Sequence, residues 1–105
     1  MAESVRICDR ADLADGTARR FDLDGHRIAL VRIGEDFHAV GDRCSHEDYS
    51  LAEGEVFPEE CEIECWKHGS VFSLRTGMPL TLPATKPVPV YPVTLDGDTV
   101  LVELP

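Results

Sequence analysis

The sequence predicts an all-β protein of antiparallel strands, and three observations carry that expectation. Short apolar and β-branched runs alternate with polar residues, turn dipeptides part them at intervals of roughly eight to twelve residues, and helical periodicity is nearly absent. Alternation of this kind puts one face of a strand in a core and the other in water.

Only Arg10 to Asp15 offers a helical turn, too short to shape the fold. Phe21 to Leu23 and Arg27 to Ile33 flank Asp24-Gly25, a dipeptide suited to the positive φ angles of tight hairpins. Phe37 to Val40 follows Gly34-Glu35-Asp36, so the first half reads as a run of hairpins. Val93 to Leu95 and Thr99 to Leu104 flank Asp96-Gly97 in the same way. Two segments break the pattern. Cys44 to Leu74 has no clear period, as expected of a chain organised around a bound centre. Leu82 to Pro92 contains Pro83, Pro87, Pro89 and Pro92, with Pro79 just before it. Proline removes a ladder donor and fixes φ, so this stretch is no central strand. It reads as an extended connector or as a stiff cover over the centre.

The 105 residues allow one domain, 1–105, with one modest core. No apolar run approaches the ~20 residues of a membrane-spanning helix. Met1-Ala2-Glu3-Ser4 opens neither a basic nor an apolar leader, and a cytoplasmic location is expected. A formal net charge of −10 argues against nucleic acid, whose phosphates need a basic face, and suits a positively charged protein partner.

Four cysteines, Cys8, Cys44, Cys61 and Cys65, could form a disulfide scaffold, but histidines stand beside two of them and metal binding is the better reading. Cys44-Ser45-His46 and Cys65-Trp66-Lys67-His68 give Cys-x-His, eighteen residues, then Cys-x-x-His. A zinc finger gathers its cysteines in one knuckle and its histidines in another. Here each knuckle is mixed. Mixed knuckles suit a binuclear centre in which one iron takes both thiolates and the other both imidazoles.

With Gly69-Ser70 after the last histidine and Thr76-Gly77 beyond it, these residues resemble the Rieske iron-sulfur family. The resemblance implies an antiparallel β sandwich with a small two-loop cluster-binding lobe at about 42–74, the loops running from Cys44 to about Ser50 and from Cys65 to about Ser73. It implies one [2Fe-2S] cluster held by Cys44, His46, Cys65 and His68, with the imidazoles exposed at the tip and the histidine-bound iron the one reduced. Four thiolates would give the oxidised centre a net charge of −2, and exchanging two for neutral imidazoles brings it to zero, which eases reduction. The implied function is electron transfer without bond chemistry. A Rieske-type ferredoxin would pass one electron from a reductase to an oxygenase or another acceptor. The small Rieske subunit of a nitrite reductase is a second reading. Ile63 to Ser70 and Leu82 to Val93 also look like actinobacterial ferredoxins encoded beside iron-sulfur assembly proteins, which makes supply to cluster assembly a third. A whole Rieske oxygenase would need a further iron on two histidines and a carboxylate, and only His26 and His38 are left over.

High-potential members of the family resemble Cys-x-His-x-x-Cys with Cys-x-Cys-His, the extra cysteines joining the loops, and add a tyrosine hydroxyl two residues beyond the Ser70 position. This chain has Tyr49, Lys67 and Phe72 at those positions. A low midpoint is therefore expected, although Ser70 could still donate to a bridging sulfide.

Cys61 shares a strand phase with Ile63 and Cys65 and reads as a small buried hydrophobe rather than a spare ligand, and Cys8 likewise. His26 reads as a solvated turn residue and His38 as a surface position. Trp66 reads equally as a shield for the cluster or as an ordinary half-buried aromatic. Glu47, Asp48, Glu53, Glu55, Glu59, Glu60, Glu62 and Glu64 lie between His46 and Cys65 with no lysine or arginine among them. They form either a solvated loop or a docking face.

Overall fold

The computed structural model describes residues 3–105. Ten strands follow one another: β1 (Glu3–Asp9), β2 (Ala18–Leu23), β3 (His26–Ile33), β4 (Asp36–Gly41), β5 (Glu55–Phe57), β6 (Glu62–Glu64), β7 (Val71–Ser73), β8 (Val90–Tyr91), β9 (Val93–Asp96) and β10 (Thr99–Leu104). They form three antiparallel sheets, ordered β1-β10-β9, β2-β3-β4-β8 and β5-β6-β7. Among the described residues the only helical pieces are single 3₁₀ turns at Arg10–Asp12 and Leu51–Glu53.

The hairpins form where the turn residues demand them. Leu23 pairs with His26 across Asp24-Gly25, whose φ angles of 47° and 82° are those of a type I′ turn. Ile33 pairs with Asp36 across Gly34-Glu35, and Asp96 with Thr99 across Gly97-Asp98, each with glycine at positive φ in the first place.

The β2-β3-β4-β8 sheet is the middle layer. Ile28 and Leu30 of β3 face one apolar cluster with Ile7, Val100, Val102 and Leu104, which closes a sandwich against the β1-β10-β9 sheet. Ala29 and Val31 face the other way, into a cluster with Leu51, Ile63, Phe72 and the cysteines 44, 61 and 65. Four consecutive residues, Ile28 to Val31, are consequently buried, and the strand shows no alternation in sequence.

The lobe holds more than two loops. Between and after the Cys/His pairs the chain makes the β5-β6-β7 sheet, in strands of three residues each, too short to register as periodic patterning. Its formation shortens the second loop, because β7 begins at Val71, directly after Ser70.

The proline-bearing segment is the extended connector expected of it, and it also packs on the lobe. It joins β7 to the edge strand β8 without regular structure, and it packs Ala84 and Val88 into the lobe core. Gly77 lets it come close: its φ is 75°, and a Cβ there would overlap the Val88 carbonyl oxygen.

Candidate metal centre

The end of β4 launches the first loop. Asp42, fully buried at 0 % exposure, closes that loop at its base. Its Oδ1 accepts hydrogen bonds from the Ser50 hydroxyl (2.8 Å) and the Ala52 N–H (2.9 Å), and its backbone carbonyl accepts from the Leu51 N–H (2.6 Å). Arg27 reaches Asp42 Oδ2 at 3.5 Å and donates to Asp48 Oδ1 at 2.7 Å. One guanidinium thus ties the base of the loop to its outer part. That bond holds the Asp48 carboxyl below the usual carboxylate range. Within the loop the Cys44 N–H donates to the Tyr49 carbonyl at 2.9 Å.

The second loop is a tight turn. The Cys65 N–H donates to the Ser70 carbonyl (2.7 Å) and the Gly69 N–H to the Cys65 carbonyl (3.0 Å), with Gly69 at φ 76°. The proline segment braces both loops. Its Lys86 carbonyl accepts from the Ser45 hydroxyl at 2.6 Å, and its Ala84 N–H donates to the fully buried Ser70 Oγ at 3.1 Å. The Ser70 proton is left free to donate elsewhere.

These loops bring the four expected residues together. Cys44 and Cys65 are buried thiols, neither in a disulfide. Burial pushes the Cys44 thiol up, the backbone N–H groups of His46 and Glu47 pull it down, and the adjoining Cys65 thiol pushes it up again. His46 and His68 lie toward the surface, their side chains 36 % and 31 % exposed and their rings edge to face with centroids 5.1 Å apart. Two adjoining sulfurs beneath two accessible imidazoles could serve as the donor set of a binuclear centre with one iron on sulfur and one on nitrogen. Two backbone N–H groups face the Cys44 sulfur and offset part of the effect of burial, which still holds the thiol above its ordinary range. The residues fit the group.

The positions that would carry linking cysteines hold a different clasp. The Tyr49 ring stands edge to face with Trp66 at 5.2 Å and with His68 at 5.9 Å. Lys67 Nζ lies 5.8 Å from the Tyr49 ring and 5.9 Å from the Trp66 ring. Trp66 packs on this clasp while half of its surface stays open.

Other residues fall outside the group. Cys8 sits in β1 within the sandwich core, as packing predicts. Cys61 is also buried, but in place of a strand phase it occupies the turn before β6 at φ 57°, a left-handed conformation that strains a residue with a Cβ. His38 is not the surface position expected. It is half-buried with Nε2 3.4 Å from Cys61 Sγ, and burial lowers its pKa. His26 is not a solvated turn residue either. It begins β3 and its Nδ1 lies 3.5 Å from the Tyr91 hydroxyl. The roles of Asp42 and Arg27 leave no mark in the sequence, because an Asp just after a strand and an Arg near the start of one look like ordinary surface residues. Glu47 stood out only as one acid among eight.

The Rieske [2Fe-2S] domain family matches residues 3–92. The ferredoxin subunit of 3-phenylpropionate/cinnamic acid dioxygenase from Escherichia coli (strain K12) is 41 % identical over 101 residues, covering 96 % of this chain and 93 % of that one. Among solved structures, the ferredoxin of carbazole 1,9a-dioxygenase from Nocardioides aromaticivorans superposes with a TM-score of 0.91 at 38 % identity, covering 94 % of this chain and 95 % of that one. A nitrite reductase small subunit from Mycobacterium tuberculosis, described as putative and NADH-dependent, superposes at 0.89 with 23 % identity, over 100 % of this chain and 97 % of that one, a likeness of fold alone. The chain belongs to the Rieske [2Fe-2S] domain family.

Proposed function

We propose that this chain is a Rieske-type ferredoxin, a one-electron carrier that takes its electron from a reductase and delivers it to an oxygenase. Cys44 and Cys65 would hold one iron of one [2Fe-2S] cluster, and His46 and His68 the other. The cluster, when bound, supplies a site that gains and loses a single electron. The protein's residues do the rest: two loops fix the donors, the apolar cluster between the lobe and the middle sheet shields the sulfurs, and the exposed imidazoles give a short path to a docked partner. The observation that carries this reading is the pair of partly exposed imidazoles, ring centroids 5.1 Å apart, above two buried, unbridged thiols.

The acceptor follows from the relatives. The chains 41 % and 38 % identical over nearly full length are ferredoxin components of dioxygenases, and a further neighbour at 36 % identity is described as a complex of reduced oxygenase and oxidized ferredoxin. The chain would then work as one domain of residues 1–105 with its cluster lobe at about 42–74, in the cytoplasm. Among the described residues no helix is long and apolar enough to cross a membrane.

Protein purified without oxygen is expected to contain about two irons and two sulfides per chain, with a visible spectrum and a reduced-state EPR signal. A colourless protein with one stoichiometric zinc after attempted cluster reconstitution would end this reading.

A further inference from the structure

The two histidines share a neighbour that belongs to neither loop's backbone scaffold. Glu47 Oε1 lies 3.6 Å from His46 Nε2 and 3.7 Å from His68 Nε2. One carboxylate oxygen therefore stands between the same ring nitrogen of both imidazoles. The separations exceed a hydrogen bond, so the contact acts through charge.

The other acids nearby are compensated or distant. Asp48, next in sequence, is bonded to Arg27 at 2.7 Å and faces Arg43 at 3.9 Å. Among the described residues the ion pairs of Glu47 are with the two histidines alone. Lys67, the cation between the ligand positions, is turned over the Tyr49 and Trp66 rings. Glu47 is thus an uncompensated negative charge at the outer edge of both imidazoles.

We propose that Glu47 is a redox-tuning residue for the histidine-bound iron, an inference that rests on the ferredoxin reading above. A metal-bound histidine commonly directs its other ring N–H to a carboxylate, which orients the ring and enriches it in electron density. Here one carboxylate serves two rings. Its charge would oppose the arrival of the electron on the adjacent iron. A cluster with two thiolates and two neutral imidazoles goes from net zero to −1 on reduction, so a fixed negative charge beside it lowers the midpoint. Because Glu47 is half-exposed, salt should weaken the effect.

The test is film voltammetry of the cluster-loaded protein at low and high ionic strength, comparing Glu47→Gln, Glu47→Asp and Glu53→Gln. Glu53 is exposed and loses the same charge in its Gln variant. Iron and sulfide content is expected to stay at the wild-type level in all three. The midpoint of Glu47→Gln is expected to rise several-fold more than that of Glu53→Gln, with the difference shrinking as salt is added. Glu47→Asp should return it toward the wild-type value. Equal shifts for Glu47→Gln and Glu53→Gln in loaded protein would overturn the role of Glu47 and leave the ferredoxin reading standing. A wild-type protein without [2Fe-2S] absorption would overturn both.

Discussion

Replacing His46 or His68 with alanine should remove a donor from the same iron, and the cluster is expected to be lost or become labile. His26→Ala and His38→Ala should keep it, because the ring nitrogens of His26 and His38 face the Tyr91 hydroxyl and the Cys61 sulfur rather than the Cys44 and Cys65 thiols. Iron analysis and the visible spectrum distinguish the two pairs, and full retention in His68→Ala would contradict the assignment. Phe72 works at the same scale. Its ring is fully buried in the apolar cluster that also contains Cys44 and Cys65, and it has no hydroxyl to donate. With Glu47 outside and Phe72 inside both acting against the electron, and Ser70 alone acting for it, the midpoint is expected at about 0 mV or below, in the lower part of the roughly −150 to +300 mV span of Rieske centres. Phe72→Tyr should raise it. A wild-type value above about +150 mV would remove the low-potential assignment.

At the scale of the element, the first loop depends on its buried carboxylate. Asp42→Ala leaves the Ser50 hydroxyl and the Ala52 N–H without their acceptor and takes a buried partner from Arg27. The expected loss is about 2–4 kcal/mol in denaturant unfolding, with faster release of iron. Asp42→Asn keeps an acceptor oxygen and should lose less. Equal losses would mean that charge, rather than the two hydrogen bonds, holds the loop. The β5-β6-β7 sheet makes the opposite kind of case. Glu55 lies directly across from Glu64, and Glu62 follows two residues along the same face. Like charges directly opposed destabilise a sheet. Glu55→Lys should therefore stabilise the protein, by about 0.2–1 kcal/mol. If the acids are a docking face, reversing Glu53 and Glu55 together to lysine should at the same time slow electron transfer from the native reductase and flatten its salt dependence. Unchanged rates at low ionic strength would return these acids to the role of a solvated surface.

Across the whole molecule, what could be read in advance was what local chemistry decides. Asp24-Gly25 suits a hairpin wherever it stands, and the spacing of Cys44, His46, Cys65 and His68 singles out four residues that the loops do bring together. What stayed hidden depends on tertiary placement. Ile28 to Val31 do not alternate because sheets cover both of their faces. β5, β6 and β7 are strands only because they pair with one another over three residues each. His38 looks like an outward position until the Cys61 turn closes over it. Glu47 acquires a meaning only when two loops, separated by eighteen residues between His46 and Cys65, bring their imidazoles to the same carboxylate.

The rings of Tyr49 and Trp66 and the ammonium of Lys67 occupy the places where a covalent link between the loops would otherwise stand. A link made of sulfur would answer to the thiol pool around it, whose poise in a cytosol is roughly −220 to −320 mV. Rings packed edge to face do not answer to it. All four cysteines are buried as well, so glutathione finds no accessible thiol to exchange with. The surroundings can become more or less reducing without opening the lobe, and heat, which loosens ring packing, takes over as the agent that limits it. Such a carrier can hand over electrons in a compartment crowded with reductants while its own architecture is indifferent to them.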